Sequence, residues 1–139
     1  MEVPEAPTAC PFCTVPDSRI VGSNELAMAI RDGYPISPGH TLIIPKRHFA
    51  SISDATTEEL HSLWSLLAEA RRSLDESMNP AGYNIGVNDG VAAGQTVMHL
   101  HVHLVPRYPG DRKDPRGGVR WIVPEKADYW SARISESGA

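Results

Sequence analysis

A chain of 139 residues, 41% hydrophobic and 22% charged, is the size of one globular domain, and its two cysteines, Cys10 and Cys13, supply no disulfide framework. Thirteen Lys plus Arg against seventeen Asp plus Glu give a net charge of −4, which argues against general adhesion to nucleic acid or an anionic membrane and favours a small-molecule partner. No run reaches the ~18 apolar residues of a membrane-spanning helix, and MEVPEAPTAC lacks the basic start and apolar core of a signal peptide, so a cytoplasmic protein is expected.

In chain order, residues 1–9 read as a flexible arm and 10–139 as a single domain, with a C-terminal loop and tail from about residue 108. Short apolar or β-branched segments at Arg19–Val21, Leu26–Ile30 and Thr41–Ile44 read as antiparallel strands. Ser37-Pro38-Gly39-His40 makes the turn before the third of them, with Pro38 and Gly39 suited to the centre of a type II turn, so that His40 opens the strand. Thr56 and Glu59 then form a capping box. Leu60, Leu63, Trp64, Leu67, Leu74 and Met78 continue at helical spacing until Asn79-Pro80 stops the pattern, predicting a long helix whose apolar stripe, Trp64 included, covers the sheet. His61 on that helix reads as a surface side chain. Two further strands follow near Tyr83–Val87 and His99–Val105, joined by a loop rich in small residues. Strands in succession with a packed helix, and no alternation of strand and helix, indicate an α+β fold.

The last strand carries the chemistry. In MHLHVHLVPR, His99, His101 and His103 fall at every second position with Leu100, Val102 and Leu104 between them, so the imidazoles share one face and the aliphatics the other. At ~3.3 Å per residue the outer rings start ~13 Å apart, too far for all three to serve one metal with bonds of ~2 Å. The strand therefore divides its labour. Neighbours two apart share an ion, or one end serves a metal while the other rings serve a substrate. Cys10-Pro11-Phe12-Cys13 has a spacing that lets both thiolates reach one zinc, and His48 and His99 are available to complete a tetrahedron. The same CPFC is also compatible with two free thiols or a dithiol redox pair. The turn-like Thr14-Val15-Pro16-Asp17 that follows it speaks against the redox reading, which needs a helix there.

GQTVMHLHVHLVPR resembles the signature of the histidine-triad (HIT) family of nucleotide hydrolases and transferases, and SPGHTLIIPKRH and GYNIGVNDGVAAGQT extend the resemblance from about Cys10 to Arg107. The resemblance implies a HIT fold of about five antiparallel strands with one long and one shorter helix, and a homodimer. It implies that the middle histidine, His101, attacks the α-phosphorus of a nucleotide and holds a nucleotidyl intermediate. His103 and His40 match the flanking catalytic histidines. Asn88, Gln95 and Thr96, with the backbone of the loop at Gly94, match positions around the phosphates, and Asp32 lies near the ribose-binding region. Cys10, Cys13, His48 and His99 match the ligands of zinc-containing members; four protein ligands leave no open position, so that zinc would be structural. Attack also needs a fixed acceptor for the second N–H of His101.

The expected function is hydrolysis at the α-phosphate of a dinucleoside polyphosphate or a nucleoside phosphoramidate, with adenine the base by resemblance. Val21, Leu26 and Ile30 are candidates to wall the base pocket. A nucleotidyltransferase or phosphorylase using the same intermediate is the alternative. A non-enzymatic nucleotide-binding protein is a further one, disfavoured by the intact His101. Arg107, Arg112, Arg116 and Arg120 either bind a second phosphate or keep the loop solvated.

Overall fold

The computed structural model describes residues 10–132; the arm expected at 1–9 lies outside them. The chain divides into two compact units, Met1–Arg107 and Tyr108–Ala139. The first is built from β1 (Ile20–Ser23), β2 (Ala27–Arg31), β3 (Thr41–Pro45), α1 (Thr57–Met78), β4 (Gly82–Val87) and β5 (Val102–Arg107). The strands form one antiparallel sheet in the order β1-β2-β3-β5-β4. Among the described residues, no helix is long and apolar enough to cross a membrane.

Local chemistry sets the boundaries of α1. Thr56 accepts from the Glu59 N–H at 3.0 Å and Glu59 Oε1 accepts from the Thr56 N–H at 2.9 Å, so both halves of the capping box are present. At the other end Asn79 adopts the left-handed conformation, φ 48°, and its N–H reaches Leu74 O before Pro80 forbids a further turn. The buried stripe is Leu63, Leu66, Leu67 and Leu74. Leu63, Leu66 and Leu67 pack on Ala27, Ala29, Ile43, Leu100 and Val102. The two alanines of β2 keep that sheet face shallow enough for the leucines, and each buried leucine stabilises the fold by roughly 1.5–3 kcal/mol.

The expected stripe needs two corrections. Trp64 is 49% and Met78 38% exposed. Leu66 replaces Trp64 in the core, because the helix turns its 63/66/67 edge to the sheet and leaves position 64 at the margin. His61 is exposed, as expected.

The opposite face of the sheet holds a second cluster, Ile30, Leu42 and Ile44, half-covered by Phe12, Val15, Ile20 and Met28. Leu42 and Gly86 are the cross-strand partners of His103, and directly opposed residues share a face. His103 therefore lies on this second face, away from α1. Ile30 is fully buried in this cluster, whereas Val21, at the β1 bulge, is exposed.

The Ser37–His40 turn forms as expected, with His40 N–H bonded to Ser37 O at 3.1 Å and Gly39 at φ 86°. A Cβ at Gly39 would meet Leu74 Cδ2 and Met78 Sδ at 2.8 Å, so a side chain here would have to displace those two ends in addition to adopting a left-handed φ. β3 begins at Thr41, one residue after His40.

The larger difference concerns β5. Its ladder starts at Val102, so His99, Leu100 and His101 precede the strand. Continued register would set Leu100 opposite Pro45, which has no N–H to offer. Instead Leu100 N–H bonds to Phe49 O at 2.7 Å. The alternation survives without the ladder, because Leu100 still points into the helix-side core.

The second unit contains short 3-10 turns at Gly118–Ile122 and Pro124–Lys126 and a short α-helical stretch at 130–132. Two of its arginines, Arg116 and Arg120, serve structure. Arg116 pairs with Asp114 at 2.9 Å and lies over the Trp130 ring, and Arg120 donates to Ala127 O and Lys126 O beside Tyr129.

Candidate active site and metal centre

Among the described residues, two groups of potential ligands sit in the first unit: Cys10, Cys13, His48 and His99, and Asp32, His40 and His103. In the first, Cys10 Sγ is 3.4 Å and Cys13 Sγ 3.7 Å from His99 Nδ1, Cys13 Sγ is 3.3 Å from His48 Nδ1, and the two Nδ1 atoms are 3.1 Å apart. Tetrahedral coordination with bonds of about 2.3 Å to sulfur and about 2.0 Å to nitrogen sets ligand edges of about 3.5 Å for S···N and about 3.3 Å for N···N. These four separations match four edges of one coordination tetrahedron.

The tautomers agree. His99 is fully buried and its Nε2–H donates to Pro45 O at 2.8 Å, which leaves the Nδ1 lone pair facing the thiols. Burial, reinforced by His48 and His101, lowers the His99 pKa against the opposing pull of Pro45 O and keeps the ring neutral, as a ligand must be. Burial and the neighbouring Cys10 thiol raise the Cys13 pKa. A cation would reverse that shift by favouring thiolate. This group could hold a metal ion.

The segment that carries His48 is clamped to the start of α1. Arg47 makes two bonds to the Glu59 carboxylate, at 2.9 and 2.8 Å. The Arg47 hydrogen bonds hold the Glu59 carboxyl at about 2 despite burial. Phe12, between the two cysteines, sets its ring edgewise on His101 at 5.1 Å and on His99 at 5.9 Å. Neither Arg47 nor Phe12 stands out in the sequence as a site residue; adjacency to His48 and to the cysteines was the only signal.

His101 is 8% exposed, and its Nδ1–H donates to His99 O at 2.8 Å. This supplies the fixed acceptor that attack requires, and in the neutral ring it leaves Nε2 as the nitrogen with a free lone pair. His103 lies beside it, ring centroids 5.2 Å apart. Ile36 N–H donates to His40 Nδ1 at 3.2 Å, so His40 carries its proton on Nε2, which lies 3.0 Å from His103 Nδ1 and 3.4 Å from Asp32 Oδ2. His103 Nδ1 then accepts, and its Nε2–H is the free donor. Burial lowers the His40 pKa although Asp32 opposes it, and burial with the charges of His101 and His40 brings His103 to about 4. Both rings are neutral near pH 7.

The second group is therefore a hydrogen-bonded relay. A metal at His40 Nε2 would displace the proton that the Ile36 N–H fixes there. Asp32 also accepts from Tyr34 N–H at 2.7 Å and borders a cavity of about 580 Å³ shared with Arg31, Ile36 and His40.

Among the expected phosphate contacts, Asn88 and Thr96 are exposed and have no side-chain hydrogen bond to other described residues. Gly94 is exposed at φ 95°, with its N–H turned to Val91 O. Gln95 differs from the expectation, being 4% exposed with its carboxamide bonded to three backbone groups.

An α+β unit with an antiparallel five-stranded sheet, a Cys2His2 group and a histidine relay at one end has the HIT fold. The chain belongs to the HIT family: the HIT domain matches residues 14–110. Over 94 residues it is 37% identical to the bis(5'-nucleosyl)-tetraphosphatase [asymmetrical] of Schizosaccharomyces pombe, covering 68% of this chain and 52% of that protein. It is 35% identical over 112 residues to the AP-4-A phosphorylase of Mycobacterium tuberculosis, covering 76% of this chain and 57% of that protein. The chain thus spans little more than half the length of these two relatives. A zinc-bound histidine triad family protein from Mycobacterium smegmatis superposes with a TM-score of 0.69 at 31% identity, covering 94% of this chain and 99% of that one.

Proposed function

We propose that this chain is a nucleotide hydrolase that acts at the α-phosphate of dinucleoside polyphosphates or nucleoside phosphoramidates, with adenine as the base. One observation carries the reading: the Nδ1–H of His101 is tied to His99 O, leaving Nε2 for attack beside a neutral His103. His101 Nε2 forms a bond to the α-phosphorus as the bond to the leaving group breaks. Water then breaks the phosphorus–nitrogen bond and releases the nucleoside monophosphate. The His103 Nε2–H, oriented through His40, donates to the phosphoryl group, with the side chains of Asn88 and Thr96 as further donors. Asp32, at the rim of the cavity, takes the ribose.

Cys10, Cys13, His48 and His99 would hold one zinc ion that fixes the start of the histidine run and, with four protein ligands, has a structural part. A homodimer and a cytoplasmic location complete this reading.

Transfer to phosphate is the second reading, favoured by the similarity to a protein named AP-4-A phosphorylase. Diadenosine tetraphosphate supplied with and without inorganic phosphate separates the two: water as acceptor yields AMP, phosphate yields ADP. His101→Ala is expected to reduce turnover at least ~10³-fold with nucleotide binding retained. Two in-line displacements at a chiral α-phosphorus give retention. Inversion, or full activity in His101→Ala, would overturn the assignment.

A further inference from the structure

Gln95 sits at the end of the loop that joins β4 to the histidine run. Its Oε1 accepts from Gly90 N–H at 2.8 Å, and its Nε2 donates to Ala50 O at 2.9 Å and to Val97 O at 3.0 Å. One acceptor and two donors on a single planar group is the capacity of a carboxamide, and no carboxylate or ammonium reproduces it. At 4% exposure the side chain has almost no surface for a ligand.

The same bonds join two segments that matter to the site. Ala50 lies two residues after His48, and Val97 two before His99. Leu100 N–H on Phe49 O and His99 Nε2–H on Pro45 O continue the seam, so residues 95–100 run along 45–50 without a regular ladder. Asp89 adds a second stitch, accepting from Ser51 Oγ–H and Ile52 N–H at 3.1 Å each. Within the loop, the N–H groups of Ala93, Gly94 and Gln95 close turns onto Val91 O and Gly90 O. Gly90, which Gln95 holds by its N–H, anchors two of these three turns.

We propose that Gln95 is a positioning residue: it fixes the 88–97 loop against the 48–52 segment and acts on the reaction only through that loop. This rests on the hydrolase reading for its catalytic consequence and on the hydrogen bonds alone for its structural one. Without the tether, Thr96 and the loop backbone lose their fixed height relative to His101, five residues on. Misplacement of that kind lowers the rate of the bound complex more than it weakens binding.

The test compares wild type with Gln95→Ala and Gln95→Glu, each with its metal retained. Amide hydrogen exchange is followed in the unliganded protein, and kcat and KM for diadenosine tetraphosphate are measured separately. In Gln95→Ala, exchange at Gly90 and Gln95 is expected to accelerate tenfold or more without ligand, and kcat to fall roughly 10²-fold with little change in KM. Gln95→Glu keeps an acceptor for Gly90 N–H and loses both donors as a carboxylate. It releases Ala50 O and Val97 O, so exchange at Gln95 is expected to accelerate as well, and it carries the test if the alanine variant does not fold. Unchanged exchange together with a raised KM would instead make Gln95 a direct substrate contact and overturn the proposal. If wild type fails to turn over the dinucleotide, the hydrolase reading falls while the exchange result still decides the tether.

Discussion

The Cys10–Cys13–His48–His99 group and the Asp32–His40–His103 group each gather two histidines with side chains that can bear negative charge, ligand atoms within 4.8 Å of one another, yet they are suited to different chemistry. In the first, His99 gives its Nε2–H to Pro45 O and turns a bare nitrogen toward the thiols. In the second, His40 receives the Ile36 N–H on Nδ1 and turns a proton toward His103. The hydrogen bond at the back of each ring decides whether its front is a ligand or a donor. Clustering of histidines alone would have assigned a metal to both.

The largest effect should come from breaking the first group. Metal analysis of protein purified without added zinc should return one ion per chain, and Cys10→Ala should lose both the ion and about 3 kcal/mol or more of stability, because site binding in small zinc domains is worth about 10–16 kcal/mol of folding. Denaturant unfolding beside elemental analysis measures both. Two ions per chain, or a stable Cys10→Ala protein without metal that has lost only activity, would erase the distinction between the groups.

The relay is probed through pH. His103 has a folded pKa of about 4 against an ordinary value of 6.5, so the unfolded chain binds its proton first. Stability from this group is fully present above pH 6.5 and is lost as pH falls through the window down to about 4. His103→Gln should flatten that limb relative to wild type. The carboxylate of Glu59, held at about 2, loses its contribution only below its ordinary 4.5, so the two windows are separable. An unchanged slope between pH 6.5 and 4.5 in His103→Gln would mean that folding does not lower the pKa of the ring, and the neutral relay would fall.

What the sequence revealed follows the same division. The capping box, the Asn79 stop, the Pro38-Gly39 turn and the alternation of His99, Leu100, His101 and Val102 are local patterns, and each appears in the fold. That Cys10, Cys13, His48 and His99 would come together was legible because Cys-x-x-Cys and the HIT resemblance pointed to the same residues. The carbonyl acceptors of His99 and His101, the Ile36 N–H on His40 and the three bonds of Gln95 were not, since each pairs a side chain with a backbone group that composition does not mark. The expected start of the last strand at His99 failed for a tertiary reason, the missing N–H of Pro45 on the neighbouring strand.

The smallest effect is expected at Trp64, which belongs to neither group and serves as the control on both. Helical spacing put it in the apolar stripe, yet it is 49% exposed while Leu66 is 3% exposed against Ala27 and Ala29. The angular difference between positions 64 and 66 on one helix decides which contributes to the core. Truncating a half-exposed ring leaves no enclosed cavity, so Trp64→Ala should cost less than about 1 kcal/mol, whereas Leu66→Ala should cost about 3 kcal/mol. Metal content and turnover should match wild type in the Trp64 variant. A loss at Trp64→Ala equal to that at Leu66→Ala in thermal or denaturant unfolding would mean that the exposed ring is covered in solution, and the face of α1 carrying it would then be the first place to look for a second copy of the chain.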